Sequence, residues 1–210
     1  RTTPIIVPIL AACGLTMPKT SSRAITSPAG TADTMETLTN VSLSQEEMRQ
    51  VVKQEGGCIV WGGAVELSPA DDVLIKIEKA LNIDSEGQMI ASVLSKKVAA
   101  GSSHVIIDIP VGKTAKVRSE SDAKHLEFYF HRVAQEIGLN IKVLITDGSQ
   151  PVGRGIGPSL EALDVLAVFR QINNRPLDLE ERAILIAGEL LEMADEVTSG
   201  NGHAMAKRLL

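Results

Sequence analysis

With 210 residues, 44% of them hydrophobic and 22% charged, the chain is long enough for a domain with a real core and has the balance of a globular protein. A formal net charge of -5 argues against a broad nucleic-acid surface but leaves room for a small phosphate pocket. No apolar run reaches membrane-spanning length and the start lacks a signal-peptide pattern, so no membrane partner and a cytoplasmic location are expected. Aromatic residues make up only 2%, which places the core on aliphatic packing. Arg1 is not an initiator methionine, and Thr2-Thr3-Pro4 leads straight into an apolar run, as in a chain cut within a domain. That run, Pro4 to Cys13, closes at Gly14 and reads as a short buried helix, although a strand of similar length fits it too. Cys13 and Cys58 both sit among apolar residues and read as reduced core thiols.

Met17 to Ser21 reads as a short strand. A helix is expected from about Gly30 to Leu38, with Pro28 suited to a first helical position and Asp33 and Glu36 complementing the dipole. Ser44 with Glu47 three residues on is a capping box that opens a helix to about Gln54, ended by Gly56-Gly57. Cys58 to Trp61 reads as a short buried strand. In the loop that follows, Gly62 to Asp72, the pair Asp71-Asp72 reads as a turn or cap rather than a metal site. After a segment from Val73 to Leu81, Ser85 with Gln88 is a second capping box. Its helix runs from about Glu86 to Ala100, with Met89, Ile90, Val93 and Leu94 as the apolar face. Gln88, Ser92 and Lys96 form a polar line at four-residue spacing, which composition alone reads as a solvated edge.

Val105 to Ile109 is β-branched with little polar interruption and reads as a strand buried on both faces. A basic loop, Pro110 to Glu120, carries Lys113, Lys116 and Arg118. A helix from about Asp122 to Ile137 and a buried strand from Ile141 to Ile145 follow. The loop from Thr146 to Pro158 contains Gly153-Arg154-Gly155-Ile156-Gly157, a pattern that can cradle phosphate or simply turn the chain. Three helices close the sequence: about Leu160 to Ile172, Leu179 to Val197, and Gly202 to Leu210. Helices alternating with buried strands predict an α/β fold with a central, mainly parallel or mixed sheet flanked by helices. The four histidines lack metal-ligand spacing and read as structural; no metal site is expected.

The stretch from Ser21 to Leu38 gathers the most chemistry. Thr20, Ser21, Ser22, Thr26, Ser27 and Thr31 supply hydroxyls around one fixed cation, Arg23, at a helix start. An anionic ligand needs such groups; a well-capped helix after a polar turn uses them too. Ser22-Arg23-Ala24 followed by Gly30-Thr31-Ala32-Asp33-Thr34-Met35-Glu36 resembles the signature of the thymidine phosphorylase family. The spelling SRAITSPAGTADTMETL is most similar to its archaeal branch, the AMP phosphorylases. The similarity extends through most of the chain.

The resemblance implies phosphorolysis of AMP, and of CMP and UMP, to free base and ribose 1,5-bisphosphate. AMP and phosphate would be the small-molecule partners, phosphate a co-substrate, and no other cofactor is needed. By the same resemblance Ser22, Arg23, Ala24, Ile25, Thr26 and Ser27 match the nucleotide-binding stretch, and Thr31, Ser92 and Lys116 match further ligand positions. Lys96 matches a base-contacting lysine of the pyrimidine branch. Asp84 matches the proton donor, although beside a capping box an Asp is also a natural cap. An Asp with an ordinary pKa near ~3.9 is almost wholly ionised at neutral pH, so that role requires desolvation or a neighbouring anion. The resemblance also implies that residues 1–210 are the central α/β domain of a larger enzyme. An upstream helical domain with a phosphate loop and a downstream domain would be missing, and the full-length enzyme would be a homo-oligomer. The alternatives are a pyrimidine nucleoside phosphorylase, a phosphoribosyltransferase using magnesium-bound diphosphate, and a nucleotide-binding piece without turnover.

Overall fold

A computed structural model describes residues 1–23, 29–65 and 86–210. In chain order the elements are α1 (Thr3–Ala12), β1 (Met17–Ser21), α2 (Thr31–Glu36), α3 (Gln45–Glu55), β2 (Gly57–Trp61), α4 (Gly62–Val65), α5 (Glu86–Ala99), β3 (His104–Val111), α6 (Glu120–Glu136), β4 (Asn140–Asp147), α7 (Pro158–Phe169), α8 (Leu177–Met193) and α9 (Gly202–Leu209). They fall into two compact units, one of residues 1–65 with 151–210 and one of residues 66–150. Among the described residues the strands form two parallel pairs, β1 with β2 and β3 with β4, so the α/β class with parallel pairing stands as read.

The first unit is built around α1 and α8. α1 is apolar on nearly every side, with Ile5, Ile6, Val7, Ile9 and Leu10 buried, as a helix enclosed by its neighbours must be. In α8, Leu179, Ala183, Ala187 and Leu191 recur at four-residue spacing and are fully buried against α1. β1 and β2 pair in register from Met17↔Gly57 to Ser21↔Trp61. Between them α3 opens as its capping box requires: Glu47 N donates to Ser44 Oγ at 3.3 Å, and Ser44 N donates to Glu47 Oε2 at 2.8 Å. Gly56 then stops α3 in the left-handed conformation at φ 75°, where a side chain would be strained. Cys58 is buried and Cys13 is half-buried at the end of α1. Both are free, and burial raises both thiol pKa values, which lowers the share of reactive thiolate.

In the second unit β3 and β4 pair from His104↔Asn140 to Val111↔Asp147, joined by α6. The core consists of Ile90 and Leu94 from α5, Val105, Ile107 and Ile109 from β3, Ala123, Leu126 and Phe130 from α6, and Val143 from β4, with Met89 and Val93 packed against it. The apolar face read for α5 is therefore the one it buries. The strands differ from expectation. Burial alternates along β3, and β4 buries only Val143, so neither strand is covered on both faces. Their second face carries a half-buried polar pair, Thr146 Oγ1 donating to Asp108 Oδ1 at 2.6 Å. The β-branched run concealed a period of two. No helix among the described residues is long and apolar enough to cross a membrane.

Candidate functional site

β1 runs into the hydroxyl turn through Thr20 and Ser21, and Arg23 follows at once. The guanidinium does not project into open space. It donates to Glu36 through both terminal nitrogens, NH2 to Oε1 at 2.6 Å and NH1 to Oε2, and NH1 also lies 3.4 Å from Asp33 Oδ1. Its carbon stands 4.9 Å from the centre of the Trp61 ring, a cation–π distance. The hydrogen bond from Arg23 is the chief cause that holds the Glu36 carboxyl below its ordinary value. The same bond keeps Arg23 more firmly protonated. Helix α2 ends at Glu36, so this acid does not complement the dipole as the sequence reading had it; it serves as the counter-ion of Arg23. Asp33 does act at the helix start, where its Oδ2 accepts from Gly30 N at 3.0 Å. Thr31, half-buried, opens α2, and Ser22 is exposed beside Arg23. An arriving anion has the guanidinium as its partner here, in competition with Glu36.

The inner face of α2 joins a buried polar chain that sequence reasoning missed. Thr34 is fully buried, with Oγ1 3.3 Å from Gly30 O and 3.4 Å from Glu161 Oε2, so its one hydrogen serves both. Glu161 Oε1 lies 2.9 Å from Arg1 NH2, and these two side chains are only 4% and 7% exposed. Arg1 NH1 donates to Gly155 O at 2.6 Å and stands 3.7 Å from Asp164 Oδ2.

The glycine loop is filled from within. Asp164 Oδ2 accepts from Arg154 N and Gly155 N, each at 2.7 Å, and Asp178 Oδ2 accepts from Gly153 N at 2.8 Å. Two of the chain's own carboxylates occupy the amides that a phosphate would need. Of the two roles read for this loop, the structure favours the turn. A Cβ on Gly155 would meet the backbone and Cβ of Leu160, so no larger residue fits there.

In the second unit, Lys96 Nζ reaches Ser92 Oγ at 3.4 Å one turn back on α5, so two of the expected ligand positions pair with each other. Burial first, and Lys96 second, lower the pKa of the neighbouring Lys97. Lys116 is exposed in the basic loop and lines a pocket of 420 Å³ with Glu86, Met89, Val117, Arg118, Asp122 and Leu126. Its lining thus combines two acids and two bases with three apolar side chains. Ser92 and Lys96 are not among the described residues that line it. The loop is set by close backbone approach: Gly112 N donates to Val117 O at 3.1 Å and Gly148 N to Val111 O at 2.8 Å.

Asp84, Ala24, Ile25, Thr26 and Ser27 lie outside the described residues, as do Pro28, Asp71, Asp72 and Ser85. Among the described residues no cluster of three or more potential metal ligands occurs. His125 Nε2 lies 3.4 Å from Glu86 and His203 Nε2 3.1 Å from Glu181, both as exposed surface pairs.

Residues 3–208 match the family described as "Glycosyl transferase family, a/b domain". A relative from Legionella pneumophila (strain Paris), named "Putative thymidine phosphorylase", is 62% identical over 210 residues, covering 100% of this chain and 41% of the relative. Another of the same name, from Maricaulis maris (strain MCS10), is 64% identical over 100% of this chain and 40% of its own length. The chain thus spans about two fifths of the length of the curated relatives it matches. Among solved structures, anthranilate phosphoribosyltransferase (TrpD) from Thermus thermophilus superposes with a TM-score of 0.75 at 18% identity, covering 100% of this chain and 68% of that chain, a likeness of fold.

Proposed function

The chain belongs to the glycosyl transferase family whose α/β domain it matches from residue 3 to residue 208, and on that premise we propose that it is the central part of a pentosyl-transferring phosphorylase acting on AMP. In this reaction a phosphate oxygen forms a bond to ribose C1′ as the bond from C1′ to the base nitrogen breaks. The base leaves with the electron pair and takes up a proton, and the sugar departs as ribose 1,5-bisphosphate. The site must fix an anion, orient the sugar and meet the charge that develops on the base.

The observation that carries this reading is Arg23, placed where β1 enters the hydroxyl turn and held over Trp61 by Glu36 and Asp33. In the proposal Ser22 to Ser27 and Thr31 bind the nucleotide. Ser92, Lys96 and Lys116 contribute further ligand contacts, and Asp84 protonates the leaving base. Phosphate is a co-substrate, the enzyme works without a resident metal, and the full-length protein is a cytoplasmic homo-oligomer.

A second reading, phosphorolysis of thymidine, is favoured by the name that the 62% and 64% identical relatives share. It uses the same bond changes on a sugar without the 5′-phosphate. Phosphate-dependent base release by the full-length protein separates the two. Faster turnover of AMP supports the first, turnover of thymidine alone supports the second, and turnover of neither removes both. Asp84→Asn is expected to lower kcat far more than it weakens AMP binding; unchanged kcat would end the proton-donor role. Residues 1–210 alone are expected to turn over AMP negligibly.

A further inference from the structure

Helix α2 has six residues, too few to hold an orientation on its own, so what it docks against decides where its outer face points. That outer face carries Asp33 and Glu36, which seat Arg23 over Trp61. The inner face carries Thr34, and behind Thr34 stands Glu161, 127 positions away in sequence. A carboxylate at 4% exposure is a costly choice where an aliphatic side chain would fill the same space. Here it has a buried partner in Arg1, which is in turn tied to Gly155 and Asp164 of the glycine turn. A continuous polar chain therefore runs from that turn through Arg1, Glu161 and Thr34 to α2.

We propose that Glu161 is a positioning residue: through Thr34 it sets the rotation of α2, and with it the seat of Arg23 over Trp61. The claim about position stands without the phosphorylase reading; only its consequence for turnover rests on that reading.

Trp61 is the single tryptophan of the 210 residues and reports the seat of Arg23 directly. The test uses the full-length protein with any tryptophan outside these residues changed to phenylalanine. Trp61 emission and acrylamide quenching are compared in the otherwise unchanged protein, Glu161→Gln, Thr34→Val, Thr34→Ser, Arg23→Met and Glu161→Gln combined with Arg23→Met. Far-UV circular dichroism confirms folding. Expected are a shift of Glu161→Gln and Thr34→Val toward the Arg23→Met value, retention of the starting value in Thr34→Ser, and no further shift in the double variant. A Trp61 signal unchanged in Glu161→Gln and Thr34→Val overturns the proposal. So does a Glu161→Gln effect that persists in full when Arg23 is already gone. Should Glu161→Gln fail to fold, the Thr34→Val and Thr34→Ser pair decides alone. Where AMP phosphorolysis is measurable, Glu161→Gln is expected to raise KM for AMP by about fivefold, a typical coupling between neighbours, with kcat changed less. A protein without that activity leaves the Trp61 readout intact, so the two claims fail separately.

Discussion

Gly112→Ala tests how the basic loop is held. Gly112 sits just past β3, and a Cβ there would lie 2.7 Å from Ser149 N and closer still to the Gly148 carbonyl. Ordinary contact begins near ~3.5 Å, so the two loops would have to part by close to ~1 Å. Both obstacles are backbone, so no side chain can swing away to make room. Gly112 does not adopt a positive φ, so alanine is acceptable to its own backbone and the effect isolates the close approach. Overpacking of this kind costs about 1–3 kcal/mol. At about 2–4 °C per kcal/mol for a domain of this size, the melting transition of this domain within the full-length protein should fall by roughly 2–12 °C. The loop that moves carries Lys116, a ligand contact in the proposed function, and a misplacement of about 1 Å at such a contact can cost roughly 100-fold in rate. Thermal unfolding by circular dichroism and kcat/KM for AMP, both on the full-length protein, read the two effects. A variant that melts within a degree of the parent and keeps its kcat/KM would refute the close approach as drawn.

Glu36 supplies a prediction in pH. Its folded-state pKa lies below the ordinary 4.5, so its contribution is present above 4.5 and lost as pH falls through the lower folded value. A titration of Trp61 emission from about pH 6 to about pH 3 should show a step below 4.5 as Arg23 is released, and Glu36→Gln should shrink that step; an equal step in the variant would mean that Glu36 does not seat Arg23. Lys116→Met should raise KM for AMP or for phosphate while leaving the melting temperature unchanged, because Lys116 is exposed; an unchanged KM for both would remove Lys116 from the site. Ile184→Ala should cost about 2–5 kcal/mol, as for a fully buried aliphatic side chain, and a melting temperature equal to that of the parent would contradict the placement of α8 in the core.

Local chemistry explains which parts of the fold were legible. The Ser44–Glu47 capping box, the Gly56 stop and the β1 strand are decided within a few residues, and all three occur where the sequence places them. Burial of β3 and β4 was overread because Val and Ile suit a half-covered strand as well as a covered one; Asp108, interrupting the run, was the available signal. The helix dipole assigned to Glu36 failed because α2 stops there and Arg23 lies within reach. Thr34, Glu161 and Arg1 escaped notice because their partners are distant in sequence, Thr34 and Glu161 by 127 positions and Arg1 and Gly155 by 154. A hint existed in Glu161 itself, an acid set between Leu160 and Ala162 in a mostly apolar helix. The glycine loop stayed open between a cradle and a turn because its spacing cannot reveal that Asp164 and Asp178 fill it.

The central claim is that Arg23 and the hydroxyl turn grip the anionic end of a nucleotide. Calorimetric titration of AMP into the full-length protein and into its Arg23→Met variant tests it most directly. The account predicts saturable binding by the parent and affinity about tenfold or more weaker in the variant, a loss of at least ~1.4 kcal/mol. Equal affinity in the two proteins would contradict it.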